Sequence, residues 1–222
     1  MGTIEQGQGH APGSGIADEL PLAEQAQQGE PLEPAEDADF SPGDAPEKIL
    51  ELAAACARFV QGKYEVPLDF TGETLSLVDQ YVRDARESVK KEPATFDLVA
   101  YAIGGYLGET MRRTFGGEWF VEGEPHQYRL YFTRVKLSTN PLGLAREALL
   151  AADDPEYPSA LVVDPEYRGF VEERLKDVQP VSEDEYYLPS TRFDTAAFIV
   201  ELLHAKMAAD GRERTRFSRV DY

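Results

Sequence analysis

The chain has 222 residues, enough for one substantial domain or two small ones. Its formal net charge of −19 repels phosphate backbones and anionic membrane surfaces, which disfavours nucleic-acid and membrane partners. A basic protein is the sign-matched partner, although the same charge also serves plain solubility.

The charge is uneven. Residues 1–47 hold eleven acidic residues and no Lys or Arg, so −11 of the −19 lies there and −8 remains for residues 48–222. Residues 1–43 are rich in Gly, Pro, Gln and Glu, with too few large apolar side chains to offset the entropy of ordering. They are expected to form a disordered acidic arm. Within it, residues 16–22 (IADELPL) make the one acidic-apolar patch that could dock on a partner. The N-terminus shows no basic, apolar leader, and no apolar run approaches the ~20 residues of a membrane span. Gln6 stands where a myristoylation signal requires Ser or Thr. A cytoplasmic protein is the expectation.

Order is expected from residue 44, where Asp44 and Glu47 have the spacing of a capping box. A first helix would bury Ile49, Leu52, Ala53, Cys56, Phe59 and Val60 and end at Gly62. After an extended connection over residues 66–70, Thr71 would start a second helix. That helix aligns Leu75, Val78, Val82, Ala85 and Val89, with Lys90 and Lys91 suiting its C-terminal dipole. Pro93 breaks the chain before the central segment, residues 96–119 (FDLVAYAIGGYLGETMRRTFGGEW). There Phe96, Val99, Ala100, Ile103, Leu107, Thr110, Met111 and Thr114 recur at helical steps, giving one largely apolar stripe. Thr95 is placed to cap this helix, and Gly116-Gly117 to supply the residue that stops it.

Two strands follow, residues 118–122 and 127–135, joined by the turn Gly123-Glu-Pro-His. In the second, Tyr128, Leu130 and Phe132 alternate with Arg129, Tyr131 and Thr133, the period of a sheet with one buried face. Asn140-Pro141 and Asp164-Pro165 each pair a capping residue with proline at the first helical position. They open helices on either side of a short strand at residues 161–163. The acidic residues 183–185 read as a loop. A last helix from about Ser190 would bury Phe193, Ala197, Val200, Leu203 and Met207 and end at Gly211, before a mobile Arg-rich tail.

Few residues point to chemistry. There is no Gly-rich phosphate loop, no G-x-S-x-G elbow and no paired-His metal motif. His10, His126 and His204 are scattered without Cys or His at ligand spacing, and the acidic clusters lack a calcium-loop pattern. The lone Cys56 lies among apolar neighbours and reads as a buried, inert thiol. No catalytic residue, metal or cofactor is expected.

The remaining candidate is the central helix. Gly104 and Gly108 are four residues apart and, with Gly105, leave a thin face despite roughly 1 kcal/mol of helix propensity lost at each. Either another element packs closely there, or the thin face admits a ligand or partner flanked by Tyr106, Glu109, Arg112 and Arg113. Glu109 and Arg113 are also spaced for an ordinary surface pair, and Trp119 for the core or for a binding platform.

The segment YLGETMRRTFGGEW resembles a pattern in uncharacterised bacterial proteins, Tyr-Leu-Gly-Glu on a helix followed by Gly-Gly-x-Trp leading into a hairpin. The resemblance spans about residues 101–135. It implies a small α+β bacterial domain without established catalysis, and it supplies no functional residues.

The expected architecture is a single α+β domain over residues 44–210, with five or six helices on a small, mainly antiparallel sheet. Residues 1–43 precede it as the acidic arm and 211–222 follow as the tail. The expected function is non-enzymatic binding of a protein partner, possible roles being adaptor, regulator or toxin-neutralising protein. Its candidate site is Gly104, Gly105, Tyr106, Gly108, Glu109, Arg112, Arg113 and Trp119. An enzyme with a site near Glu109, Arg112 and His126, or a subunit of a larger assembly, are the alternatives.

Overall fold

The structure, a computed structural model, describes residues 45–222. The expected arm, its patch at residues 16–22 and the capping residue Asp44 lie outside the described residues. Among the described residues, seven α-helices and four strands follow, in the order α1 (Glu47–Tyr64), α2 (Leu75–Lys91), α3 (Phe96–Phe115), β1 (Gly117–Phe120), β2 (Arg129–Phe132) and β3 (Leu137–Thr139). Then come α4 (Pro141–Leu150), β4 (Val162–Val163), α5 (Pro165–Leu175), α6 (Glu183–Tyr186) and α7 (Pro189–Ala209). The sheet is antiparallel throughout, in the order β1-β2-β3-β4. The chain is an α+β fold, as its pattern predicts.

Helix α3 lies at the centre. The sequence shows one apolar stripe, but residues 102–112 are buried around the whole circumference. A helix in that position must be small wherever a neighbour's backbone comes close, and its glycines meet that need. A Cβ on Gly104 would stand 2.6 Å from the Leu142 Cα of α4. One on Gly105 would stand 2.7 Å from the Leu52 Cβ of α1, and one on Gly108 2.2 Å from the Trp119 indole. At its far end Phe115 stacks on Phe193 of α7, ring centroids 5.0 Å apart. The thin face is therefore covered on three sides by the protein itself.

Several helix ends follow their residues. Asn140 Oδ1 accepts from the N–H groups of Leu142 and Gly143, and Asp164 Oδ1 accepts from Glu166 N–H. Gly116, at φ 75°, terminates α3. Other ends differ. α1 runs through Gly62, whose position is open, and stops at Glu65 in the left-handed region, φ 61°. α2 begins at Leu75 rather than Thr71, because Asp69 Oδ1 accepts from Thr71 N–H, Thr71 Oγ1 and Thr74 Oγ1 and holds a turn there. Thr95 does not cap α3; its hydroxyl donates back to Glu92 O at 2.7 Å, within a 3-10 turn that enters the helix directly.

Three expectations are corrected more substantially. Residues 183–185 form the one-turn helix α6, because Ser182 Oγ accepts from Glu185 N–H while the Glu185 carboxylate returns to Ser182 N–H. The strand expected to run to Val135 stops at Phe132, and the chain bends and returns as β3. Residues 211–222, expected to be mobile, pack on that bend. Phe217 is buried, and its N–H donates to Thr133 O at 2.8 Å. The Tyr222 hydroxyl accepts from Leu137 N–H and lies within 3.0 Å of the carbonyl oxygens of Phe132, Val135 and Leu137. A bend buried beneath a tail needs such partners for its backbone groups.

Candidate functional site

The eight candidate residues come together, but as internal structure. Glu109 is fully buried, not part of a surface pair. Its Oε1 accepts from Arg112 Nε at 2.8 Å and from Trp119 Nε1 at 2.9 Å, and its Oε2 accepts from Arg112 Nη2 at 3.2 Å. Arg113 Nε adds a contact at 3.5 Å. Removing water from a carboxylate is costly unless its acceptor sites are filled, and a bidentate guanidinium with an indole N–H fills them. Gly108 makes this possible by letting the Trp119 ring lie against the helix.

Tyr106 and Arg113 serve a second internal purpose. The Tyr106 hydroxyl accepts from Phe70 N–H at 2.8 Å and pairs with Thr74 Oγ1 at 3.0 Å. Phe70 sits at φ 64°, a strained region for an aromatic residue. It is held there between the Tyr106 ring, centroids 4.7 Å apart, and the Arg113 guanidinium, 3.7 Å from its own centroid. These contacts compensate the strain and fix the connection from α1 to α2.

His126 is exposed on the turn after β1 and presents its edge to the Tyr157 ring, not to Glu109. Neither of the cavities described below is lined by Glu109, Arg112 or His126, the residues envisaged for an enzyme site. His204 is half-buried on α7, where burial and the nearby Arg134 and Arg216 hold its pKa down. The buried Cys56 thiol is pushed up to about 12 by burial, so it is protonated at neutral pH. Among the described residues, no group of three or more His, Cys, Asp and Glu is placed to hold a metal ion, and no helix is long and apolar enough to cross a membrane.

Further polar groups emerge that the sequence did not single out. Asp79 of α2 is buried and supplies the missing cap of α7, accepting from Ser190 N–H at 3.0 Å and from the Ser190 hydroxyl. On α4, Glu147 is buried between Ser159, whose hydroxyl donates to Oε1, and Arg192, whose Nη2 donates to Oε2 at 3.0 Å. The Arg192 guanidinium in turn lies 3.9 Å from the Tyr186 ring centroid of α6.

Burial pushes the Glu147 carboxyl up from its ordinary value, and Ser159 and Arg192 draw it only part of the way back. The folded protein thus takes this proton more readily than the unfolded chain. The group's contribution to stability is complete below the unfolded pKa and is lost as pH rises through the folded one. Glu147→Gln is expected to make the slope of unfolding free energy against pH more positive from the ordinary carboxylate range upward. Urea titrations at several pH values measure it; an unchanged slope would contradict this assignment.

Among the described residues, cavities open to a ligand or partner include two that are lined by none of the eight residues. The larger, about 460 Å³, lies at the C-terminal ends of α2 and α4 and the start of α3. Val89, Pro93, Phe96, Leu149 and Leu150 give it apolar walls, and Leu150 is 48% exposed. Its cations are matched: Lys90 by Glu87 at 3.0 Å, Arg146 by Asp154 at 2.6 Å and also by Asp97. Arg146 is further sandwiched between the Phe96 and Tyr157 rings, at 4.8 and 4.0 Å. The smaller, about 300 Å³, lies between α1, α3, α4 and the turn after β1. Its lining includes Lys48, Glu51, Leu52, Tyr101, Tyr128 and Leu142.

No spacing rule finds either cavity, since each draws on three or more elements far apart in the chain. One signal was present: Arg146 and Glu147 interrupt an otherwise apolar helix, LGLAREALL, where a buried charge needs a partner. Comparison with protein-family models, with curated proteins and with solved structures gives no match.

Proposed function

We propose that this is a non-enzymatic binding protein of bacterial type, an adaptor, regulator or toxin-neutralising protein that recognises another protein. The observation that carries this reading is the 460 Å³ groove, an apolar surface whose own charges are already neutralised. The occupant is an apolar side chain on a basic segment of the partner. Both lining cations, Lys90 and Arg146, are already paired with carboxylates, Glu87 for one and Asp97 and Asp154 for the other, so neither is left to repel a basic segment from the groove. The −8 of residues 48–222 draws a basic protein to it over longer range. An anchor in a desolvated pocket with charge at the rim is the usual division of labour in such interfaces.

Leu150→Asp tests the reading. It places a charge in the groove at an already exposed position, where folding stability is expected to change by no more than about 0.5 kcal/mol. In affinity capture from the native lysate, one stoichiometric partner is expected with the wild-type chain. That partner should be lost with Leu150→Asp and weakened as salt is raised from about 0.05 to 0.5 M. A partner retained equally by both chains, or none with either, would contradict it.

A further inference from the structure

We propose that the 300 Å³ cavity between α1, α3 and α4 binds a small zwitterion, an α-amino acid with an apolar side chain. The inference is independent of the protein-binding groove. Lys48 and Glu51 both line this cavity and are three residues apart on α1, the spacing at which opposite charges ordinarily pair. They do not pair. Lys48 reaches across to the hairpin, where Nζ donates to Val121 O at 3.3 Å and stands 4.3 Å from the Tyr128 ring centroid. Glu51, exposed, has no hydrogen-bond or ion-pair partner among the described residues.

The cavity therefore offers one ammonium and one carboxylate, kept apart, above a wall of Leu52, Leu142 and the Tyr101 and Tyr128 rings. Its floor is fixed. The Tyr101 hydroxyl is bonded to the Tyr157 hydroxyl, and Tyr157 is held in turn by the Arg146 guanidinium over its ring. Gly105, against Leu52, sets how closely α1 approaches α3 beside the cavity. A space of about ten water volumes suits a molecule the size of leucine or phenylalanine. Its carboxylate would meet Lys48, its ammonium Glu51, and its side chain the apolar wall. A few polar groups fixing the orientation of an apolar ligand is the common design of small-molecule sites.

Saturation-transfer NMR and titration of the full chain with L-leucine and L-phenylalanine test the proposal. 3-Methylbutylamine and 4-methylpentanoate, which keep leucine's side chain but carry one charge each, complete the set. Binding of at least one amino acid is expected, with each single-charge analogue at least about tenfold weaker. Lys48→Met and Glu51→Gln, both at exposed positions, should each weaken amino-acid binding by about tenfold as well. No binding of either amino acid up to about 10 mM would overturn the proposal. So would equal binding by the analogues, or by both variants.

Discussion

Replacing Glu109 by Gln is expected to lower the unfolding free energy by about 3–5 kcal/mol, the usual result of breaking a buried ion pair from one side. The carboxylate is fully buried, and Arg112 and Trp119 both direct their N–H groups at it. An amide presents one acceptor oxygen in place of two and turns its NH₂ toward a guanidinium that remains charged. Trp119 is the only tryptophan, so its fluorescence in urea reports this cluster directly. The double variant Glu109→Leu with Arg112→Met should recover part of the loss, because it removes both charges of the pair while the Trp119 indole N–H and Arg113 still lose their acceptor. Were the glutamate instead an exposed partner of Arg113, Glu109→Gln would cost no more than about 1 kcal/mol.

Gly104→Ala is expected to destabilise by about 1–3 kcal/mol, the range for overpacking a close interior. The added methyl would stand 2.6 Å from Leu142 Cα and 2.7 Å from Pro141 O, both main-chain atoms that no rotamer change can move aside. The start of α4 would have to shift, and with it the Asn140 cap. Gly62→Ala makes the opposing control. It lies within α1 with nothing within 4 Å of the new methyl, so the gain in helix propensity stands alone. It should stabilise by about 0.5–1 kcal/mol. Opposite signs for the two glycines in urea unfolding, at unchanged m-value, are the expected result. A loss at Gly62, or none at Gly104, would contradict the packing described for α1, α3 and α4.

Much of the frame was legible because it depends on local rules. The caps at Asn140 and Asp164 rest on a side chain meeting amides two or three residues on, and period-two alternation marked Leu130 and Phe132 as the buried face of β2. What escaped depends on distant pairings. β3 is three residues buried on both faces, with no alternation to reveal it. Tyr222 is tied to backbone 85 to 90 residues away, inside a run whose arginines suggest a solvated tail. Asp79 caps a helix 111 residues further along the chain.

The candidate residues of the central helix show what spacing alone leaves open. Seven of the eight lie on α3 and Trp119 on β1, and the glycines stand where neighbours come close. Sequence could not say that the approaching surface is the protein's own, because residues 102–112 are buried on every side only once α1, α4 and Trp119 have closed over them. A buried Glu-Arg pair and a surface Glu-Arg pair have the same spacing. Only the packing tells them apart, and it moves the interest from α3 to the two cavities beside it.

Amide hydrogen exchange on α3 tests most directly whether this helix is the scaffold of the domain and not its binding surface. If it is the scaffold, the amides of residues 102–112 exchange only through global unfolding, with the same free energy that urea denaturation gives, and they lose protection in step with it in Glu109→Gln. Exchange of these amides by local opening, several kcal/mol below the global value, would show that α3 uncovers itself in the native state and would return the site to it.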